Sequence, residues 1–260
     1  MSAIRLALVQ LRVDPAAPDA TLARALQRIG EAAAAGADLV VLPEALPLGW
    51  MAASTATRAE PIPAGATCQA FCHAAHAAGV YVCTGLVERA GERVYNAAVL
   101  IAPDGRVILH HRKLNELAIA DDLYARGDRL GVVDTPLGRL GVMICADAFA
   151  AGEVVSRTLA LMGAELILSP CAWAVPPDHD NTSTPYGDLW RRCYGVVARD
   201  HQVWMAGVSS VGPITAGPWQ GHSCIGCSLV IGPDGVPVLE GPYGSAADIV
   251  LHVDVALTPR

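Results

Sequence analysis

The residues of this sequence that are able to do covalent chemistry stand at the ends of apolar runs. Leu140-Gly141-Val142-Met143-Ile144-Cys145-Ala146-Asp147 reads as a strand running into a polar, sharply turning end. A thiol presented there can attack a carbonyl or nitrile carbon, and the free backbone N–H groups of the turn can stabilise the oxyanion that forms. Position alone fits an ordinary buried cysteine equally well. Lys113 lies in His110-His111-Arg112-Lys113-Leu114, just after another expected strand. An ammonium beside the sulfur favours thiolate and can later hold an oxyanion. Glu44 follows Leu39-Val40-Val41-Leu42 and Pro43, again at a strand end, where a carboxylate drawn out of water suits proton shuttling. Taken singly, such a glutamate or lysine is more often a solvated rim residue. Three strand ends in one chain carry more weight.

The elements that must position these residues follow from the apolar pattern. Residues 4–10 and 38–42 read as strands around an Ala-rich helix at 21–35, a βαβ-like unit, and a helix at 66–78 leads to a strand at 80–87. Strands at 94–101 and 107–111 flank Ala102-Pro103-Asp104-Gly105, whose Pro and Gly suit a tight hairpin turn. A strand at 140–144, a helix at 153–162, a strand at 166–169, a helix at 188–199 and a strand at 203–209 follow. Strands at 228–231 and 236–239 then flank Gly232-Pro233-Asp234-Gly235, a second hairpin like the first, which hints at an internal duplication. Residues 175–187, rich in Pro, Asp, Asn, Ser and Thr, read as a loop over a pocket.

At 260 residues, the chain fits one domain with a sizeable core. Its 53% hydrophobic and 17% charged composition holds more apolar side chain than a lone sphere needs, which favours subunit contacts. A net charge of −7 with no basic run argues against nucleic-acid binding. Nothing approaches the about 20 apolar residues of a membrane span, and the N-terminus lacks the pattern of a signal peptide, so no membrane partner and a cytoplasmic location are expected. Eight cysteines without an export signal read as reduced thiols.

Leu42-Pro43-Glu44, Arg112-Lys113 and Gly141-Val142-Met143-Ile144-Cys145-Ala146-Asp147 together resemble the Glu-Lys-Cys segments of the nitrilase superfamily of carbon-nitrogen hydrolases. Further matches are Tyr95-Asn96, Pro103-Asp104-Gly105, Gly163-Ala164-Glu165-Leu166-Ile167-Leu168-Ser169-Pro170, Gly221-His222-Ser223 and Pro233-Asp234-Gly235, so the likeness spans about residues 4–254. It implies an α/β fold, a four-layer α-β-β-α sandwich of the nitrilase type in one domain over residues 1–260, paired as a homodimer or higher homo-oligomer. By the same resemblance Glu44 is the general base, and Lys113 with the backbone N–H of Ala146 meets the oxyanion. Tyr95, Trp173 and His222 contact the substrate, a small-molecule amide. Attack releases ammonia or an amine and leaves a thioester for water. No metal and no organic cofactor is implied.

Two departures from that pattern bear on substrate. Many members carry a second acid between the lysine and the cysteine, and here Glu116, Asp121 and Asp122 compete for that place. Nitrile-hydrolysing members follow the cysteine with Trp-Glu, whereas Ala146-Asp147 stands here, which favours amides. Ala148 and Phe149 stand where carbamoyl-amino-acid and omega-amidase branches carry a carboxylate-binding arginine, leaving Arg191 or Arg192 as the alternative cation. An acyl transferase using the same thioester, a nitrilase, and a degenerate binding module are the competing readings, and the last ranks lowest because Cys145 and Lys113 are both present. Cys68, Cys72 and His76 at helical spacing, and the lone Cys224-Ile225-Gly226-Cys227, read as packing residues rather than metal sites.

Overall fold

Leu6 and Leu8 of β1 (Ala3–Gln10) join one buried apolar cluster, while Ala7 and Val9 join another. A strand that is apolar on both faces belongs to a covered layer of a sandwich. The computed structural model describes residues 3–257. From β1 the chain runs through α1 (Pro18–Ala34), β2 (Leu39–Val41), α2 (Thr55–Arg58) and α3 (Ala66–Ala78) into β3 (Tyr81–Ala90), β4 (Arg93–Ile101) and β5 (Val107–Arg112). The second half holds β6 (Val132–Thr135), β7 (Gly138–Val142), α4 (Val154–Leu161), β8 (Leu166–Cys171), β9 (Ala174–Val175), α5 (Asp188–His201) and β10 (Trp204–Ser209). It ends with β11 (Val211–Pro213), β12 (Ser223–Ile225), β13 (Leu229–Ile231), β14 (Pro237–Glu240) and β15 (Ile249–Ala256).

These strands form two six-stranded sheets, ordered β15-β1-β2-β3-β4-β5 and β14-β13-β10-β8-β7-β6, with a small β11-β12-β9 sheet beside them. Ile29 of α1 and Phe71 of α3 pack with Val9, Val40 and Val82 on the outer face of the first sheet. Leu6, Leu8 and Leu100 join Leu140, Leu166 and Leu168 of the second sheet, and Leu159 of α4 with Tyr194 and Val197 of α5 complete that cluster. The result is the expected four-layer α-β-β-α sandwich.

The two Pro-Asp-Gly hairpins occupy matching places. In the first sheet β1, β2 and β3 run parallel and the hairpin β4–β5 extends the edge. In the second, β7, β8 and β10 run parallel and β13–β14 extends the edge. Each hairpin carries a register shift just before its turn, and Gly105 and Gly235 both sit at φ 82°, the left-handed region that a glycine takes without strain. Gly105 lies against α3 and Gly235 against α5.

Several boundaries differ from the sequence reading. The helix expected from residue 153 begins at Val154, because Glu153 is left-handed at φ 52°. Residue 175 is taken into the small sheet rather than the loop. β6, β11, β12 and β15 were not anticipated, and β15 pairs along the whole of β1 as a long-range partner. The span 1–260 expected for the domain takes in residues 1–2 and 258–260, which lie outside the described residues. Among the described residues no helix is long and apolar enough to cross a membrane.

Candidate active site

Three strand ends meet where the two sheets face each other. Glu44 follows β2, and its N–H donates to Cys171 O at the end of β8, 3.3 Å away in the opposite sheet. A Cβ at Gly85 of β3 would lie 2.5 Å from Glu44 Cα, so only glycine lets the two backbones approach this closely. Lys113 follows β5 and donates its N–H to Asn96 O at 2.9 Å. Asn96 also donates through Nδ2 to Glu44 Oε1 at 2.5 Å, so one β4 side chain ties the two charged segments together. Cys145 opens the 3-10 turn Cys145–Phe149 at φ 43°, a strained conformation for a residue with a Cβ, and its N–H donates to Ser169 Oγ at 3.1 Å.

Glu44, Lys113, Cys145 and Ala146 line one cavity of about 210 Å³ with aromatic residues around them. Lys113 Nζ donates to Glu44 Oε1 at 2.8 Å, stands 3.5 Å from Glu116 Oε2, and lies 5.9 Å from the centroid of the Trp50 ring. Burial alone would discharge this ammonium, but the carboxylates of Glu44 and Glu116 outweigh it and hold its pKa well above the ordinary value. Burial likewise pushes the Cys145 thiol well up, Cys171 and Glu44 push the same way, and Lys113 offsets them only in part. Lys113 therefore pulls toward thiolate, as its type and place suggested, but burial, Cys171 and Glu44 pull harder the other way. Burial thus favours the thiol form, whose attack needs a base. Ala146, in the first turn of the 3-10 segment, has an amide N–H of the kind that a helix start leaves without an intrahelical acceptor, and it can meet an oxyanion.

Of the three acids considered beside Lys113, Glu116 is the one brought to it. Asp121 and Asp122 are exposed, and Asp121 pairs with Arg126 at 2.9 Å on the surface. Trp173 lines the cavity, but Tyr95 and His222 do not. Successive residues of a strand face opposite ways, so Asn96 turns to Glu44 while Tyr95 turns beneath the Arg112 guanidinium, 4.1 Å from its ring centroid. His222 stacks behind Trp219, which does reach the cavity. Arg191 is bound to Glu240 at 2.7 Å and Asp188 at 3.0 Å, and neither it nor Arg192 lines the cavity. Cys68 and Cys72 pack in the layer between α3 and the first sheet.

Asp147 is the residue whose part sequence reasoning missed. Its carboxylate accepts from the N–H groups of Leu114, Asn115 and Ile144 at 3.0, 2.8 and 2.9 Å, and from His111 Nε2 at 2.8 Å. It thereby pins the segment after Lys113 to the segment before Cys145. Burial would raise its pKa, but His111 and the amides of Asn115 and Ile144 prevail and hold it below the ordinary value. The available signal was a buried acid two residues past the thiol beside a strand histidine.

Such an arrangement, a thiol, a carboxylate, a fixed ammonium and turn amides around one cavity, can carry acyl chemistry at a C–N bond. The carbon-nitrogen hydrolase family model matches residues 5–258. The chain belongs to that family, within the nitrilase superfamily. It is 34% identical over 203 residues to a nitrilase of Pyrococcus abyssi, covering 75% of this chain and 74% of that one. To the omega-amidase NIT2 of Danio rerio it is 30% identical over 267 residues, covering 99% and 90%. The fold is shared with an amidase from Nesterenkonia sp. (TM-score 0.80, 23% identity, 97% and 90% covered) and with Nit3 of Saccharomyces cerevisiae (TM-score 0.81, 23% identity, 97% and 89% covered).

Proposed function

We propose that the chain hydrolyses the C–N bond of a small, uncharged amide through a thioester on Cys145. Glu44 takes the thiol proton as sulfur bonds to the carbonyl carbon, and the C=O π pair moves onto oxygen, where the Lys113 ammonium and the Ala146 N–H receive it. Collapse of the adduct breaks the C–N bond, and the leaving nitrogen takes the proton from Glu44 and departs as ammonia. Water, deprotonated by Glu44 with Glu116 beside Lys113, then attacks the thioester and returns the thiol and a carboxylic acid. The observation that carries this reading is the convergence of Glu44, Lys113 and Cys145 on one cavity, with Glu44 and Lys113 2.8 Å apart.

Among the described residues Lys113 is the only cation in the cavity wall, and it is already engaged by carboxylates, which leaves a substrate carboxylate no partner among them. An amide whose acyl half is neutral fits best, in contrast to the substrate that the name omega-amidase suggests. A nitrile is the second reading, favoured by the Pyrococcus relative and disfavoured by Ala146-Asp147 in place of Trp-Glu.

The test compares kcat/KM for a neutral amide, its nitrile and its carboxylate-bearing analogue at one pH, with released ammonia as the signal and an added amine to reveal acyl transfer. The neutral amide is expected to lead, with an acyl adduct on Cys145 detected by intact mass. Turnover retained in Cys145→Ala would end the thioester reading.

A further inference from the structure

The chain has 5 tryptophans in 260 residues, and four of the five line the cavity that holds Cys145. The fifth, Trp204, is used elsewhere, donating through Nε1 to Ala256 O. Of the two phenylalanines, Phe149 also lines the cavity and Phe71 is core.

The aromatic residues stand in two groups braced by different packing. Trp173 and Trp190 stack with centroids 4.6 Å apart and planes at 22°, and Phe149 lies 5.5 Å from Trp190. All three pack with the intersheet core. Trp50 and Trp219 meet edge-on at 5.3 Å and belong to a separate cluster in which the loops after β2 and β11 pack with Val87, Val94 and Tyr124. The cavity thus runs along the seam between two packed units, with an aromatic wall on each. The first wall is held in place by Trp190 Nε1 donating to Tyr186 OH at 2.8 Å. Such walls are formed before a ligand arrives, and their orienting energy goes to flat groups that stack on a ring or meet its edge.

Resting on the amidase reading above, we infer that this cavity selects the acyl half of its substrate for a flat apolar group: an aryl or similarly planar carboxamide seated between the two aromatic walls. Its volume of about 210 Å³ lies below the ~300–1,000 Å³ of pockets for drug-sized ligands, which limits the acyl group to about one ring. A cationic headgroup is the other ligand that aromatic residues recognise. It is disfavoured here because Trp173 and Trp190 use one face each on the other, and because the Lys113 ammonium already lies 5.9 Å from the Trp50 centroid.

The experiment measures kcat/KM of the full-length protein for benzamide, cyclohexanecarboxamide, acetamide and trimethylammonio-acetamide. Benzamide is expected to exceed acetamide by about 10- to 100-fold, and to exceed the equally large but non-planar cyclohexane compound. Phe149→Ala and Trp219→Ala, both at half-buried positions, should narrow the benzamide to cyclohexanecarboxamide ratio at least about threefold. Parity of the two ring amides, or a preference for acetamide or for the cation, overturns the inference while leaving the amidase reading intact. If no amide is turned over, the amidase reading fails. Benzamide titrated into Cys145→Ala protein then decides the cavity question by itself: saturable quenching of tryptophan fluorescence supports the aromatic slot, and its absence overturns it.

Discussion

Glu116 and Asp147 are both buried carboxylates close to the segment that carries Lys113, yet their surroundings push them in opposite directions. Asp147 has four donors aimed at its two oxygens and is held ionised. Glu116 has an ammonium at 3.5 Å, no hydrogen bond to either oxygen among the described residues, and Glu44 nearby, and burial pushes it up to about 7. A group with every lone pair engaged is built to keep its charge and its place. A group with spare lone pairs and a pKa near neutrality is built to exchange a proton. On the proposed mechanism the pair therefore separates a residue that holds the site together from one that works in it, a distinction that burial alone would hide.

The most severe test of that distinction is Lys113→Met. It removes the ammonium that both Glu44 and Glu116 face, so one of them must take up a proton and the oxyanion loses its fixed charge. A fall of about 10³-fold or more in kcat/KM is expected. Combining it with Glu44→Gln should cost far less than the product of the two singles, because the two residues act as a unit. A fully multiplicative double variant would mean that the cluster around Lys113 is not one device.

Asp147→Asn probes the other side. One carboxylate oxygen becomes an NH2 group facing backbone N–H donors, so the clamp loses acceptors and gains a repulsion. About 3–5 kcal/mol of stability is expected to go, measured by urea unfolding, together with activity as Cys145 and Lys113 drift apart. A variant with wild-type stability and normal turnover would reduce the clamp to an ordinary surface-grade contact.

How much of this was open to reading before the fold was known depends on how far apart the partners lie. Glu44, Lys113 and Cys145 each end an apolar run, and strand ends on one side of a sandwich converge, so local pattern was enough to nominate them. The hairpins at Pro103-Asp104-Gly105 and Pro233-Asp234-Gly235 carry their geometry in the turn itself. Glu116 was not separable from Asp121 and Asp122, because residues 114–122 have no periodicity and only the backbone path decides which acid faces inward. The Asp147 clamp is invisible in sequence for a stronger reason: three of its four donors are main-chain amides, identical for every residue type. The aromatic walls draw on residues 50, 149, 173, 190 and 219, and their meeting is a property of the whole fold.

The gentlest probe is Glu116→Gln followed across pH. In the fold, Glu116 holds its proton up to about 7, against an ordinary value of 4.5. A raised value means that the native state binds a proton which the unfolded chain releases earlier. The corresponding stability is fully present below about pH 4.5 and is lost as pH rises through 7, by at most roughly 3 kcal/mol. Asp147 has the opposite sign: its contribution is present above the ordinary 3.8 and is lost only as pH falls through its lowered value. Of these two carboxylates, Glu116 is the one that contributes slope between pH 5 and 8, and His252, lowered from 6.5 by burial and Arg5, adds a slope of opposite sign that wild type and variant share. Glutamine cannot titrate, so whatever constant amount it adds or removes, the variant's urea-unfolding free energy should fall less between pH 5 and pH 8 than that of the wild type. Activity should drop about 10²-fold or less, with the rate profile flattening near pH 7. Parallel stability curves for the two proteins would mean that Glu116 does not change protonation in this window, and the contrast with Asp147 would collapse.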